Sequence, residues 1–318
     1  MTGTAATAVI APAMQSALHP AGPDAAIIAQ LGWVLFGGGA LVFAGVMAAC
    51  ALSLRKGRPV RPMIWIAGAG VVLPVVVLSA LLVFGVWTSA ELVRPSSQHA
   101  VKISVVARMW WWEVRYTDPA GGEDIVLANE IRVPVGQPVY LGLSSGDVIH
   151  SFWVPALAGK VDTVPGRLHG MTLQADRIGV YRAQCAEYCG EQHARMALHV
   201  VAQPPAEFQA WLAAQARPAP DGGIGVAQGR RAFVEQRCAA CHTIRGVSDG
   251  VPAGLGPDLT HIGSRLYLGA GVLRNQPGAL AAWIADPHGV KPGVRMPASA
   301  DMDGATLRAL AAYLEQLK

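Results

Sequence analysis

Twelve consecutive residues, Cys185-Ala-Glu-Tyr-Cys189-Gly-Glu-Gln-His193-Ala-Arg-Met196, hold two thiols, one imidazole and one thioether. These are soft ligands, which select copper, zinc or iron–sulfur centres over calcium or magnesium. A Cys-x-x-x-Cys pair by itself could equally be a disulfide or half a zinc site. A disulfide needs neither the His nor the Met, and zinc makes little use of a thioether. Copper electron-transfer sites do combine thiolate, imidazole and a weak axial Met. A further strong ligand must come from elsewhere, and His150, in His150-Ser-Phe-Trp-Val-Pro155, is the candidate. A second cluster, Cys238-Ala-Ala-Cys241-His242, is the attachment signal for c-type haem: two thioether links and an adjacent iron ligand.

The rest of the chain must position these groups. It has 318 residues, enough for two or three domains, and is 52% hydrophobic but only 14% charged. Ordinary soluble domains are nearer a quarter charged, so membrane segments are expected. A net charge of +4, with no basic run interleaved with aromatics, excludes a nucleic-acid partner. Residues 1–26 lack the positive n-region of a secretory signal and read as a flexible leader. Ile27–Leu54 and Met63–Ala90 are uncharged apolar runs. Each exceeds the roughly 20 residues needed to span a bilayer core. Arg55, Lys56, Arg58 and Arg61 lie between them without an acid. The positive-inside rule puts that loop in the cytoplasm and both termini outside, which in a bacterium is the periplasmic side of the plasma membrane. Cys50 sits alone in the first run, where a Cys is usually a small buried hydrophobe, and no role is assigned to it.

From Glu91 short β-branched and aromatic segments alternate with turns: Val101–Ala107, Glu113–Thr117, Ile125–Ala128, Ile131–Val133, Val139–Leu143, Leu168–Leu173, Gly179–Ala183 and Ala197–Val201. Asp118–Gly122, Pro134–Gly136 and Asp162–Gly166 read as turns. So many short strands predict a sandwich or barrel. Trp111 and Trp112 read as core or interface aromatics. Pro204–Ala216 reads as a short helix, and residues 217–224 as a Pro/Gly linker. The remaining histidines, 19, 99, 169, 199, 261 and 288, have no partner at ligand spacing.

The intact Cys-x3-Cys-x3-His-x2-Met and His150–Pro155 segments resemble the CuA domain of cytochrome c oxidase subunit II. The resemblance runs from Ile27 almost to the end. It implies two transmembrane α-helices (27–90), a cupredoxin-like Greek-key β-barrel (91–216) and an all-α class I cytochrome c domain (225–318). His150 would sit in one loop and Cys185–Met196 in another at the same end. It implies two coppers bridged by Cys185 and Cys189. One copper also takes His150 and Met196, and the other takes His193 and the backbone carbonyl of Glu187. Trp110 matches the first aromatic of the segment over which electrons enter. The Glu187 side chain matches a ligand to Mg2+ at the subunit I interface, where Asp162–Arg167 also faces.

In the cytochrome segment the resemblance makes Pro257 the carbonyl that orients His242, Arg265 the propionate-facing arginine, and Met296, in Lys291-Pro-Gly-Val-Arg-Met296-Pro297, the axial ligand, with Met302 its rival. Gly229 and Phe233 would cross Leu310 and Tyr313 where the first and last helices meet. The implied function is electron entry into a proton-pumping haem–copper oxidase. An external donor, such as a cytochrome c or a quinol–cytochrome c reductase, would pass electrons through haem c and CuA to subunit I, with subunit III also present. A CuA-containing nitric oxide reductase and a free-standing membrane-anchored carrier are the alternatives. The Glu that often precedes Ile-Trp at the second helix, as a proton entry, is replaced here by Arg61-Pro62-Met63. The short linker suggests a tether that holds the haem domain near the copper domain at millimolar effective concentration.

Overall fold

The computed structural model describes residues 14–55, 61–92, 101–118, 120–218, 226–249 and 255–318. Two long helices come first: α1 (Pro23–Ser53) and α2 (Pro62–Leu92), each 31 residues and apolar enough to cross a membrane. α2 widens to π-helical bonding over Trp65–Val72. Their flanks are exposed in the isolated chain, as lipid-facing surfaces are. Cys50 is exposed on α1. Lys56 and Arg58 of the basic loop, and His99, lie outside the described residues.

The chain then forms two five-stranded sheets packed face to face. One has the order β3 (Ile125–Ala128), β2 (Trp111–Tyr116), β1 (Val101–Arg108), β5 (Val139–Ser145), β8 (His169–Leu173). The other has β4 (Glu130–Pro134), β10 (Ala197–Gln203), β9 (Gly179–Cys185), β6 (His150–Trp153), β7 (Lys160–Thr163). β1 runs parallel to β5 and β10 parallel to β4; the other pairs are antiparallel. Alternation explains the packing. Ile103, Val105 and Ala107 of β1 face inward while their neighbours face out, as a period of two requires. Trp112 is fully buried and meets Phe152 edge-on at 5.5 Å. Such pairs add about 0.5–1.5 kcal/mol beyond area burial. The helix α3 (Pro205–Gln215) closes one end with Phe208 and Leu212, and Trp211 stands edge-on to Tyr116 at 5.4 Å.

Three expectations change. His150 is the first residue of a strand, not a loop residue. Asp162 and Thr163 belong to β7, so the bend at 162–166 begins only after them. The part of the leader that is described is not free. Met14 accepts from Arg182 and donates to Val180 at the edge of β9, and the Ala21 N–H donates to Ala156. Ala21 and Ala25 are buried, and a Cβ on Gly22 would lie 2.3 Å from the Gln174 carbonyl. α1 therefore starts at Pro23 with its first turn against the barrel.

The C-terminal unit is helical: α4 (Ala227–Glu235), α5 (Ala279–Ala285), α6 (Pro287–Val290) and α7 (Gly304–Gln316). α4 crosses α7 at Gly229, where a Cβ would stand 2.1 Å from the Ala309 carbonyl. Phe233, Leu310 and Tyr313 are buried around that crossing. Asp303 caps α7 by accepting from the Ala305 and Thr306 amides.

Candidate metal centre

β9 and β10 form a hairpin whose loop is the soft-ligand segment. The hairpin register ends at Gln184 opposite Ala197, and the Cys185 N–H donates to the Met196 carbonyl at 2.9 Å. That bond closes the base of the loop. Gly190 turns it with φ +106, which L side chains rarely adopt, and a 3₁₀ turn at His193–Arg195 folds the imidazole back. β6 lies on the other side of β9, with Phe152 opposite Cys185. The pleat therefore sends His150 and Phe152 to the same inner face.

The result is a compact donor set. The Cys185 and Cys189 sulfurs are 3.8 Å apart. His150 Nδ1 lies 3.9 Å from Cys185 Sγ, and His193 Nδ1 lies 3.7 Å from Cys189 Sγ. Met196 Sδ is 4.0 Å from Cys189 Sγ, and the Glu187 carbonyl 3.1 Å from Cys185 Sγ. All six predicted donors are thus brought together. Among the described residues, His150, Cys185 and Cys189 form the group of three or more His, Cys or carboxylate side chains that could hold a metal.

Electrostatics support the same site. Burial alone would lower the His150 pKa, but Asp147 at 2.8 Å from Nε2 and the Cys185 sulfur more than offset this and raise it. Asp147 is held below the usual carboxylate range, because hydrogen bonds from His150 and from the Met109 and Val148 amides outweigh its partial burial. A carboxylate on the far nitrogen fixes the ring with Nδ1 facing the sulfurs. The Cys189 thiol donates to Cys185 and pulls the Cys185 pKa far down, while Cys189 itself is pushed up. The loop thus favours a thiolate, the form that binds metal.

Trp110 joins this loop to the second site. Its indole N–H donates to the Cys189 carbonyl at 2.8 Å, and Trp110 also lines a cavity of about 220 Å³ where the barrel meets the C-terminal unit. Cys238, Cys241, His242, Pro257, Arg265 and Met296 line the same cavity, and Met302 is not in its wall. His242 Nδ1 lies 2.8 Å from the Pro257 carbonyl. Burial keeps its pKa low, which favours the neutral imidazole with Nε2 free as a ligand. Arg265 is buried, and its Nη2 donates to Gln215 Oε1 at 3.2 Å. Its Nη1 is buried without a hydrogen-bond partner, which is how a guanidinium awaiting an anionic group stands.

The family model described as "Cytochrome C oxidase subunit II, periplasmic domain" matches residues 120–203, and that described as "Cytochrome c" matches residues 226–318. The chain is 32% identical to "Cytochrome c oxidase subunit 2" of Bacillus sp. over 264 residues, 78% of this chain and 72% of that one. It belongs to the cytochrome c oxidase subunit II family.

A second subunit II, from Alkalihalophilus pseudofirmus, is 39% identical over 221 residues, 69% of this chain and 62% of that protein's length. The periplasmic domain of subunit II from Bradyrhizobium japonicum aligns with 38% of this chain and 96% of its own, at 29% identity and a TM-score of 0.35. A subunit II with a fused cytochrome c domain implies CuA copper and covalent haem c. The residues fit both. The two sulfurs, two aimed imidazole nitrogens, thioether and carbonyl suit copper, and the orphaned guanidinium in a cavity walled by Cys238, Cys241 and His242 suits haem.

Sequence reasoning missed three residues here. Asp147 stands three positions before His150, a local signal that a carboxylate could reach the ring. Gln192 is buried in the copper loop and donates to the Pro292 carbonyl. Lys291 was visible only as part of the axial-Met segment. Of the remaining described histidines, His199 is buried with its ring stacked on Tyr267 at 4.0 Å, and His261 bonds the Arg217 carbonyl.

Proposed function

We propose that this chain is the electron-entry subunit of a proton-pumping haem–copper cytochrome c oxidase, with subunit I, where oxygen is reduced, as its partner. The observation that carries the reading is the convergence of all six copper donors beside Trp110, a residue that also lines the haem cavity. When bound, haem c and CuA supply a one-electron relay from an external donor to subunit I.

The chain's own residues do the positioning. Cys185 and Cys189 would hold copper together with His150, His193, Met196 and the Glu187 carbonyl. Asp147 orients His150. Cys238 and Cys241 would anchor haem c, His242 and Met296 would be its iron ligands, Pro257 fixes the His242 tautomer, and Arg265 would meet an anionic group of the haem. Trp110 is the aromatic link between the sites.

The Glu187 carboxylate lies half-exposed, 3.6 Å from Lys160. A single carboxylate does not make a magnesium site, so Mg2+ binding there needs oxygens from subunit I. The working units are the membrane hairpin (27–90), the copper domain (91–216), the linker (217–224) and the haem domain (225–318). Both redox units lie on the outer face of a bacterial plasma membrane, opposite the basic loop.

The test is affinity capture of the tagged chain from detergent-solubilised native membranes, followed by a haem spectrum. Co-purifying a-type haem, with oxygen consumption, is expected. A b-type haem with non-haem iron would reassign the chain to a nitric oxide reductase, and no partner would make it a free-standing carrier.

A further inference from the structure

Lys291 is 2% exposed, and the acceptors of its ammonium are two backbone carbonyls. One is Trp110, at 2.8 Å, in the copper domain; the other is Gly269, at 3.1 Å, in the haem domain. Burying an ammonium is costly, and a Met of similar length would fill the same space without that cost. What the amine adds is a pair of hydrogen bonds that span the domain boundary.

Neighbouring contacts point the same way. The Gln192 side chain donates to the Pro292 carbonyl, and Arg195 Nη1 donates to the Val290 carbonyl at 3.4 Å. A Cβ on Gly293 would stand 2.4 Å from the Glu191 carboxylate. The start of the Met296 segment is therefore pressed against the copper loop, residue by residue. Behind it the Ala197 N–H donates to the Ala270 carbonyl at 3.0 Å, and the Leu266 N–H donates to buried Glu130 at 2.9 Å.

We propose that Lys291 is a positioning residue that locks the axial-Met segment of the haem domain onto Trp110, so that the two cofactor sites are held at one fixed spacing in a single rigid unit. This rests on the reading of the chain as a two-centre electron relay. It replaces the tether expected from the linker: the haem domain is docked, and the linker does not set its distance. Contacts this buried are screened little by salt.

The experiment uses the full chain, matured with haem and copper, carrying a protease site between Asp221 and Ile224. After cleavage the wild-type halves are expected to co-elute at both low and high salt. Lys291→Met is expected to let them separate. It should also slow haem-to-copper transfer, followed by flash photoreduction, by about threefold to tenfold, the size of one buried hydrogen bond. Both metal spectra should keep their form, and Lys291→Arg should recover part of the rate and of the co-elution. Wild-type halves that part on cleavage overturn the lock whether or not the variant folds. So does a Lys291→Met chain that transfers at the wild-type rate, or one whose cleaved halves still co-elute. If the uncleaved wild type passes no electron from haem to copper, the two-centre reading fails, while co-elution still reports on the lock.

Discussion

At the copper loop the protein's own atoms close the site. Two sulfurs stand 3.8 Å apart, and both imidazoles approach them through Nδ1. The loop is shut at its base by a backbone bond, and its outer ligand is held by Asp147. At the haem pocket the side chains instead line a cavity of about 220 Å³. The elements around it are short: α4 has 9 residues, α5 has 7 and α6 has 4. Helices of that length are marginal alone and depend on what they pack against. The barrel has a continuous two-sheet core of its own. The contrast teaches that the copper site is an attachment to a finished fold, whereas the haem pocket opens into the small core of its domain, which a bound haem would complete.

The largest effect should come from removing the haem anchor. In a Cys238→Ala/Cys241→Ala chain the C-terminal unit is expected to lose its protease resistance, while the barrel stays intact and still takes up copper. Limited proteolysis with mass mapping reads this directly. A haem-free helical domain that resists digestion as well as the wild type would erase the contrast.

Asp147→Asn sharpens the other side of it. The variant keeps the barrel but loosens the ring of His150. Copper affinity should fall about 10–100-fold, the usual cost of removing such a partner. The melting temperature of the copper-free chain should hardly move. Chelator competition measures the affinity, and an unchanged value would mean that the loop alone fixes the ring.

A smaller effect belongs to the seam between the two units. Burial, with Arg182 nearby, lowers the His199 pKa to about 4, against the opposing pull of Glu130. The unfolded chain, with a pKa near 6.5, binds this proton first. Stability is therefore full above pH 6.5 and falls as the pH drops towards 4. The loss from this one group is roughly 1–2 kcal/mol by pH 5. Urea unfolding of the wild type and His199→Phe at pH 7 and pH 5 should show a smaller loss in the variant. Parallel losses would remove His199 from the account.

Much of this was legible because the chemistry is local. The copper loop and the haem signal are each contiguous, and β-branched alternation marked eight of the strands. β6 escaped because His150–Trp153 reads as a ligand loop, and β7 because Asp162 reads as a turn former although it pairs with Ser151. The docked seam left no mark at all. Lys291 and Trp110 are 181 positions apart, and a lysine that will be buried looks like any other lysine in sequence. Nor did the pinned segment before α1 show itself, since its contacts at Val180 and Ala156 are made by backbone groups that every residue carries.

That segment has a mechanical consequence. A globular head carried on a membrane stalk can swivel if its connection is loose. Here the first stalk has no loose connection: Ala21, Gly22 and Ala25 are packed against the barrel wall, and Ile28, a turn further on, reaches Gly159. Helix α1 is splinted to the head it carries. Any tilt of that helix within the bilayer becomes a tilt of the head and swings the copper end along an arc. The angle at which the stalk sits in the lipid thus sets how the metal end is presented to whatever lies beside it.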